Sequence, residues 1–188
     1  HAAANAETGA AAAEATVEAV ERTPVTLNAV ADELQEALGR ISPDQEEALV
    51  RAILQAPRVF VAGAGRSGLM ARAFAMRLMH MGLTVYAVGD VTTPALAAGD
   101  LLLIASGSGR TTGLVNMAEK AASLGATVAT VTMDPQAPIA ALADAVLQIY
   151  APTPKAAQAG RDDSEITSVQ PMSVQPMGSL FEQCLLLC

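Results

Sequence analysis

Tryptophan is absent and only two Tyr and three Phe occur, so the core of this chain has to be aliphatic. Hydrophobic residues make up 52% of the 188 positions, and although much of that share is alanine, enough Val, Leu, Ile and Met remain to bury one core. At ~150 residues per domain the length accommodates a single domain with a tail. Cations are scarce as well. Eleven Lys and Arg against nineteen Asp and Glu give a net charge of −8, a poor composition for a nucleic-acid or anionic-membrane binder, which needs clustered Lys and Arg. No apolar run approaches the ~20 residues of a bilayer span, and no signal-peptide pattern opens the chain. Cysteine is confined to Cys184 and Cys188, four apart on one helical stretch, where disulfide geometry is not expected. Two free thiols suit a reducing cytoplasm and are expected to be buried structural residues. No Cys/His/Asp cluster has metal-ligand spacing, so no metal is implied.

What is present is ordered along the chain. Residues 1–23 are Ala/Glu-rich without a bulky apolar stripe and read as a frayed tail or marginal helix; His1 stands where Met is expected and is given no chemical role. Residues 24–188 read as one domain. Helical stretches over 25–39 and 43–55 come first, the second opened by Ser42 as N-cap, Pro43, and then Asp44, Glu46 and Glu47. From Arg58 short apolar runs (58–63, 84–89, 101–106, 127–132 and 145–150) alternate with helical segments at 67–81, 112–124 and 137–144. Near-continuous apolar strands bounded by Gly, Asp or Pro are covered on both faces. The alternation predicts an α/β fold with a parallel, doubly wound sheet of five strands. Residues 151–177 break the pattern as a long loop with four prolines and a tandem repeat, SVQPM at 168–172 and again at 173–177. The repeat reads as a tolerated insertion. A last apolar helix, 178–188, stops at Cys188, as a shortened C-terminus would.

Two motifs carry the chemistry. GAGRSG, Gly63 to Gly68, follows the first strand and opens a helix, and Asp90 follows the second strand, which satisfies the context of a dinucleotide fingerprint. Its physics is broader: glycines let backbone approach an anion, and a helix N-terminus offers N–H groups and a positive dipole end. Gly65, Arg66 and Ser67 put flexible backbone, a cation and a hydroxyl there. SGSGRT, Ser106 to Thr111, ends the third strand with hydroxyls on Ser106, Ser108 and Thr111 and a Gly-rich backbone that includes Gly107, an anion nest. In a sheet of order 2-1-3-4-5 strands 1 and 3 are neighbours at the topological switch point, so the two loops converge on one crevice. One phosphate between two loops accounts for both.

The set GAGRSG, AMRLMH, TTP, SGSGRT and GSLFEQ resembles the sugar isomerase (SIS) domain family over about residues 25–188, within it the 6-phospho-3-hexuloisomerases of the ribulose monophosphate pathway. The resemblance implies an αβα sandwich assembled as a homotetramer (a dimer of dimers), a phosphorylated hexulose as substrate, and no cofactor. It further implies that Ser106, Ser108 and Thr111 bind the phosphate, that Arg66 and Ser67 line the sugar side, and that Glu182 is the acid/base. The departures are the long N-terminal tail, the doubled SVQPM, and a C-terminal helix lacking the stretch in which the family carries a further His.

The residues support that chemistry on their own terms. Moving a carbonyl from C3 to C2 through a cis-enediol needs one base that takes and returns a proton. A carboxylate or His raised in pKa by partial burial suits the task, and Glu182 stands on an otherwise apolar helix with Leu180, Phe181, Cys184 and Leu185. His80, thirteen residues beyond Ser67 on one helix, is ~20 Å from its own phosphate loop. It reads as a helix C-terminal His, or as a group reaching a neighbouring subunit's site. Thr92 and Thr93 precede Pro94 on the loop-bearing sheet edge, either lining the pocket or capping the next turn. Met70, Met76, Met79 and Met81 read as core and interface packing. Two other functions fit parts of the pattern: a non-catalytic phosphosugar sensor, and a dinucleotide-dependent oxidoreductase resting on GAGRSG and Asp90.

Overall fold

A computed structural model describes residues 26–151, 173, 175 and 179–187. The expected tail at 1–23, most of the 151–177 loop with its first SVQPM copy, and Cys188 lie outside the described residues. Two helices come first, α1 (Leu27–Gly39) and α2 (Pro43–Gln55). Thr26 caps α1 by accepting the Ala29 N–H at 3.2 Å. Ser42 holds the N-cap position of α2 but makes no side-chain cap bond; Pro43 fixes the first turn instead.

Then come β1 (Val59–Gly63), α3 (Gly65–His80), β2 (Val85–Ala87), β3 (Leu101–Ala105), α4 (Thr112–Ser123), β4 (Thr127–Thr132), α5 (Pro138–Leu142), β5 (Ala145–Gln148) and α6 (Ser179–Leu187). The strands form one sheet in the order β2-β1-β3-β4-β5, all parallel. One row of the register runs Ala87, Val61, Leu103, Ala129, Ala145. The five parallel strands are those that the apolar runs predict, in the 2-1-3-4-5 order under which the two motif loops converge. The second strand is shorter than its run because it is the edge, half-buried throughout.

Period-two alternation sorts the strands between two cores. Val59, Val61, Leu101 and Leu103 face α1, α2, α3 and α6; Phe60, Ala62, Leu102 and Ile104 face α4 and α5. Burial of a Leu or Phe side chain is worth about 1.5–3 kcal/mol, so these two layers hold the sandwich. Residues 88–100, between β2 and β3, contain no helix. The second layer is therefore incomplete over β1 and β2. It leaves a cleft of about 420 Å³ lined by Phe60, Val88, Leu96, Leu102, Met117 and Leu124 among others.

The sheet is locked at its amino edge by Arg58 and Asp100. The guanidinium meets both carboxylate oxygens, Nε at 2.8 Å and a terminal nitrogen at 2.5 Å, and Ala97 N–H donates to the same carboxylate at 2.7 Å. Asp100 is only 2% exposed. Arg58 and these hydrogen bonds hold its carboxyl below the usual carboxylate value against the opposing effect of burial.

Candidate functional site

The carboxyl edge of the sheet carries the candidate site. Gly63 ends β1 and Gly68 lies in the first turn of α3, in backbone contact. A Cβ on Gly68 would stand 2.6 Å from the Gly63 carbonyl oxygen, and one on Gly63 would stand 2.9 Å from Gly68 backbone. These two glycines of the fingerprint are thus required by helix–strand packing, with or without a ligand. Asp90, the other half of the dinucleotide signature, is joined to Arg72 at 2.6 Å. Both features have structural employment, which leaves the oxidoreductase reading without support of its own.

Gly65 and Arg66 open α3, and Thr111 precedes α4. The N-cap residues Ala64 and Thr111 make no side-chain cap bond, and the two helices start at the same sheet edge, after β1 and β3, adjacent strands. The loop from Ser106 to Thr111 is tightly made. Ser106 is buried, and its Oγ accepts the Gly109 N–H at 3.1 Å. Ser108 and Thr111 are exposed, and Ser108 Oγ accepts the Arg110 N–H at 3.4 Å. The loop therefore offers two accessible hydroxyls on a frame set by the third.

Helix α6 meets both loops. Phe181, buried, lies with its ring 3.5 Å from where a Gly107 Cβ would be. The next residue, Glu182, has a side chain 14% exposed, and its Oε1 lies 3.2 Å from Arg66 Nε. Arg77, later on α3, donates to the Leu186 carbonyl at 3.0 Å, so α3 holds α6 at two points. Burial raises the Glu182 carboxyl above its ordinary 4.5, and the Arg66 charge opposes that rise. A carboxyl raised by desolvation while one cation keeps its anion accessible can serve as a base and return the proton as an acid.

The other candidates are spread differently. Thr93 donates its hydroxyl to the Ala87 carbonyl at 2.7 Å, which caps the turn after β2; Thr92 is exposed. Ser67 is half-buried in the first turn of α3. His80 ends α3, at the far end of the helix from Gly65, and is exposed. Met70 packs against the first core, whereas Met76, Met79 and Met81 are about half exposed or more. Cys184 is fully buried, and desolvation pushes its thiol to about 11, the mark of an inert structural cysteine. Sequence reasoning assigned no role to Phe181, Arg110 or Asp134. The first two stand inside quoted motifs; Asp134, before Pro135, carries a turn signal and nothing that points to a site. Among the described residues no group of three His, Cys, Asp or Glu side chains is placed to hold a metal, and no helix is long and apolar enough to cross a membrane.

The SIS domain model matches residues 52–163, the stretch from α2 through both loops and beyond β5. The chain belongs to the SIS domain family. It is 52% identical over 159 residues to a 3-hexulose-6-phosphate isomerase of Mycobacterium gastri, covering 85% of this chain and 74% of that protein. A 3-hexulose-6-phosphate isomerase of Bacillus subtilis is 45% identical over 158 residues, covering 84% and 80%. Among solved structures, a hypothetical protein of Methanococcus jannaschii superposes with a TM-score of 0.66 at 29% identity, covering 86% of this chain and 82% of that one. Its structure was taken to infer the molecular function of a 3-hexulose-6-phosphate isomerase.

Proposed function

We propose that this SIS domain isomerises a 3-hexulose 6-phosphate to fructose 6-phosphate through a cis-enediol. The observation that carries the reading is 52% identity to a 3-hexulose-6-phosphate isomerase across 85% of the chain. The geometry supports it: a mostly buried carboxylate paired with Arg66 at the start of α3, on a helix whose Phe181 lies against Gly107 of the hydroxyl-rich loop.

In this reading Ser108, Thr111 and the loop N–H groups hold the phosphate, Ser106 shapes the loop, and Arg66 and Ser67 face the sugar. Glu182 removes the proton from C2, the C2–C3 enediol forms, and the same carboxyl returns a proton to C3. The hydroxyl proton passes from O2 to O3. Oxidation at C2 is balanced by reduction at C3, so the reaction is redox-neutral and asks for no external oxidant. Arg66, drawn to Glu182 in the free protein, is placed to polarise the substrate oxygens once sugar enters.

Phosphorylated hexuloses and free thiols both fit the cytoplasm. Residues 24–188 act as one catalytic domain, with 1–23 as an appended tail. Helix α3 exposes Leu69, Met76 and Met79, with Met81 just beyond, an apolar stripe that suits assembly into a homotetramer.

Replacement of Glu182 by Gln keeps the shape and removes the base. Turnover should fall by about 10²–10⁴ with phosphosugar affinity little changed. In deuterated water the wild type should place deuterium at C2 or C3 and the variant far more slowly. A variant that turns over normally would move the base elsewhere.

A further inference from the structure

The phosphate loop rests on a second loop, residues 133–137 between β4 and α5. The Gly107 carbonyl accepts from Met133 N–H at 3.0 Å and from the Thr132 hydroxyl at 3.2 Å. The Gly109 carbonyl accepts from Ile139 N–H at 3.2 Å. Gly109 has φ +59°, and a Cβ there would stand 2.5 Å from Ala137 Cβ, so the two loops touch at van der Waals limits. These contacts tie the Gly107 and Gly109 carbonyls to the second loop, while the Ser108 and Thr111 side chains stay exposed on the other side of the turn. One ion pair spans the same seam: Arg110 to Asp134 Oδ2 at 2.7 Å.

Asp134 is a fixed anchor. Its Oδ1 accepts the Gln136 N–H at 2.9 Å, and its own N–H donates to Thr132 Oγ1 at 3.2 Å. The carboxylate is thus set by its own turn before Arg110 reaches it, which lowers the entropy lost in forming the pair. Arg110 also donates its backbone N–H to Ser108 Oγ at 3.4 Å, so a tether on its side chain bears on the exposed Ser108 hydroxyl.

We propose that Asp134 is a positioning residue for phosphate binding: through Arg110 it clasps the Ser106–Thr111 loop in the form that presents Ser108 and Thr111. The proposal rests on the reading of that loop as the phosphate site. It makes a prediction opposite in sign to simple electrostatics. Neutralising an acidic side chain beside a dianion's site should tighten binding if charge alone mattered, whereas loss of the clasp weakens it.

Two measurements on the full chain decide it. In the ligand-free protein, Asp134→Asn should speed hydrogen exchange of the Gly107–Arg110 amides about two- to fivefold, the range for a partly exposed ion pair. By calorimetry and kinetics it should weaken fructose 6-phosphate binding and raise KM by a similar about two- to fivefold with kcat unchanged. In an Arg110→Gln background the same substitution should add nothing. Unchanged loop exchange, or tighter fructose 6-phosphate binding by Asp134→Asn, overturns the clasp. Faster exchange with unaltered affinity overturns its link to phosphate, while the assignment of this loop as the phosphate site is tested separately by Ser108→Ala. Normal clasp behaviour in a chain that binds fructose 6-phosphate without isomerising it would leave the clasp standing and remove the isomerase reading.

Discussion

The two edges of the sheet each carry an Arg–carboxylate pair, and the pairs behave in opposite ways. At the amino edge, Asp100 takes two guanidinium contacts and a backbone N–H, and its carboxyl is held below the ordinary carboxylate value. At the carboxyl edge, Glu182 meets Arg66 at 3.2 Å, and its carboxyl is raised. Burial pushes both upward. The difference is the number and fit of hydrogen bonds to the charged form: where they are several and close they exceed desolvation, and where the Coulomb attraction of one half-exposed Arg is the main opposition they do not. The first pair is a fastener locked in one protonation state. The second is left within reach of a proton.

Breaking each carboxylate in turn tests that contrast. The largest effects separate cleanly: Glu182→Gln is expected to remove activity, as set out above, yet to leave the melting midpoint unchanged or slightly higher, because a buried charge is withdrawn. Asp100→Asn should do the reverse. Taking the charge from Asp100 in this partly buried pair should cost about 1–3 kcal/mol, lowering the midpoint by roughly 2–12 °C, while kcat of the folded fraction stays normal. Thermal unfolding and steady-state kinetics on both variants check it.

The two edges also carry opposite pH signatures in stability. A carboxyl whose pKa is lower in the folded than in the unfolded chain contributes stability above its unfolded value, near 3.8 for Asp, and loses it as pH falls through the folded value. Glu182, raised on folding, contributes only when protonated and loses that contribution as pH rises through its folded value. Acid unfolding should therefore be less steep in Asp100→Asn than in the wild type.

A mid-sized effect belongs to the phosphate loop alone. Ser108 is exposed there, and among the described residues its Oγ only accepts, from the Arg110 N–H at 3.4 Å, so its hydroxyl proton is available to a ligand. Ser108→Ala should weaken fructose 6-phosphate binding by about 1–3 kcal/mol, the range for a hydrogen bond to a charged group. Calorimetry reads this directly. Unchanged affinity would place the phosphate on other groups.

The contrast between the edges also marks what a sequence can carry. The sheet was legible because each strand is a short apolar run and each run is bounded by its own turn residues; the alternation gave a parallel, doubly wound sheet, and order 2-1-3-4-5 went with the family resemblance. Ser106, Ser108 and Thr111 stood out as candidates because they fall within one short motif. Glu182 stood out as a lone carboxylate on an apolar helix, but its partner Arg66 is far away in the chain and no local pattern joins them. Gly63 and Gly68 read as anion-binding glycines, yet their mutual contact appears only when α3 is laid on β1. Asp134 is one acid among many in the sequence; its meaning comes from β3 and β4 being neighbours, which brings two loop ends together.

The finest test sharpens the Glu182 side of the comparison. If Glu182 must be ionised to take the C2 proton, the acid limb of kcat/KM lies above the ordinary glutamate value of 4.5, because burial raises the carboxyl. Arg66 opposes that rise. Arg66→Gln removes the opposition, so the acid limb should move to still higher pH, in the direction of less base at neutral pH. The same substitution at Arg72, whose partner is Asp90 outside the proposed chemistry, should leave the limb in place. Arg66 side chains are about half exposed, so the shift should shrink as salt is added. A limb that stays fixed in Arg66→Gln would mean that the titrating group is not Glu182, whatever the Gln variant at that position does to the rate.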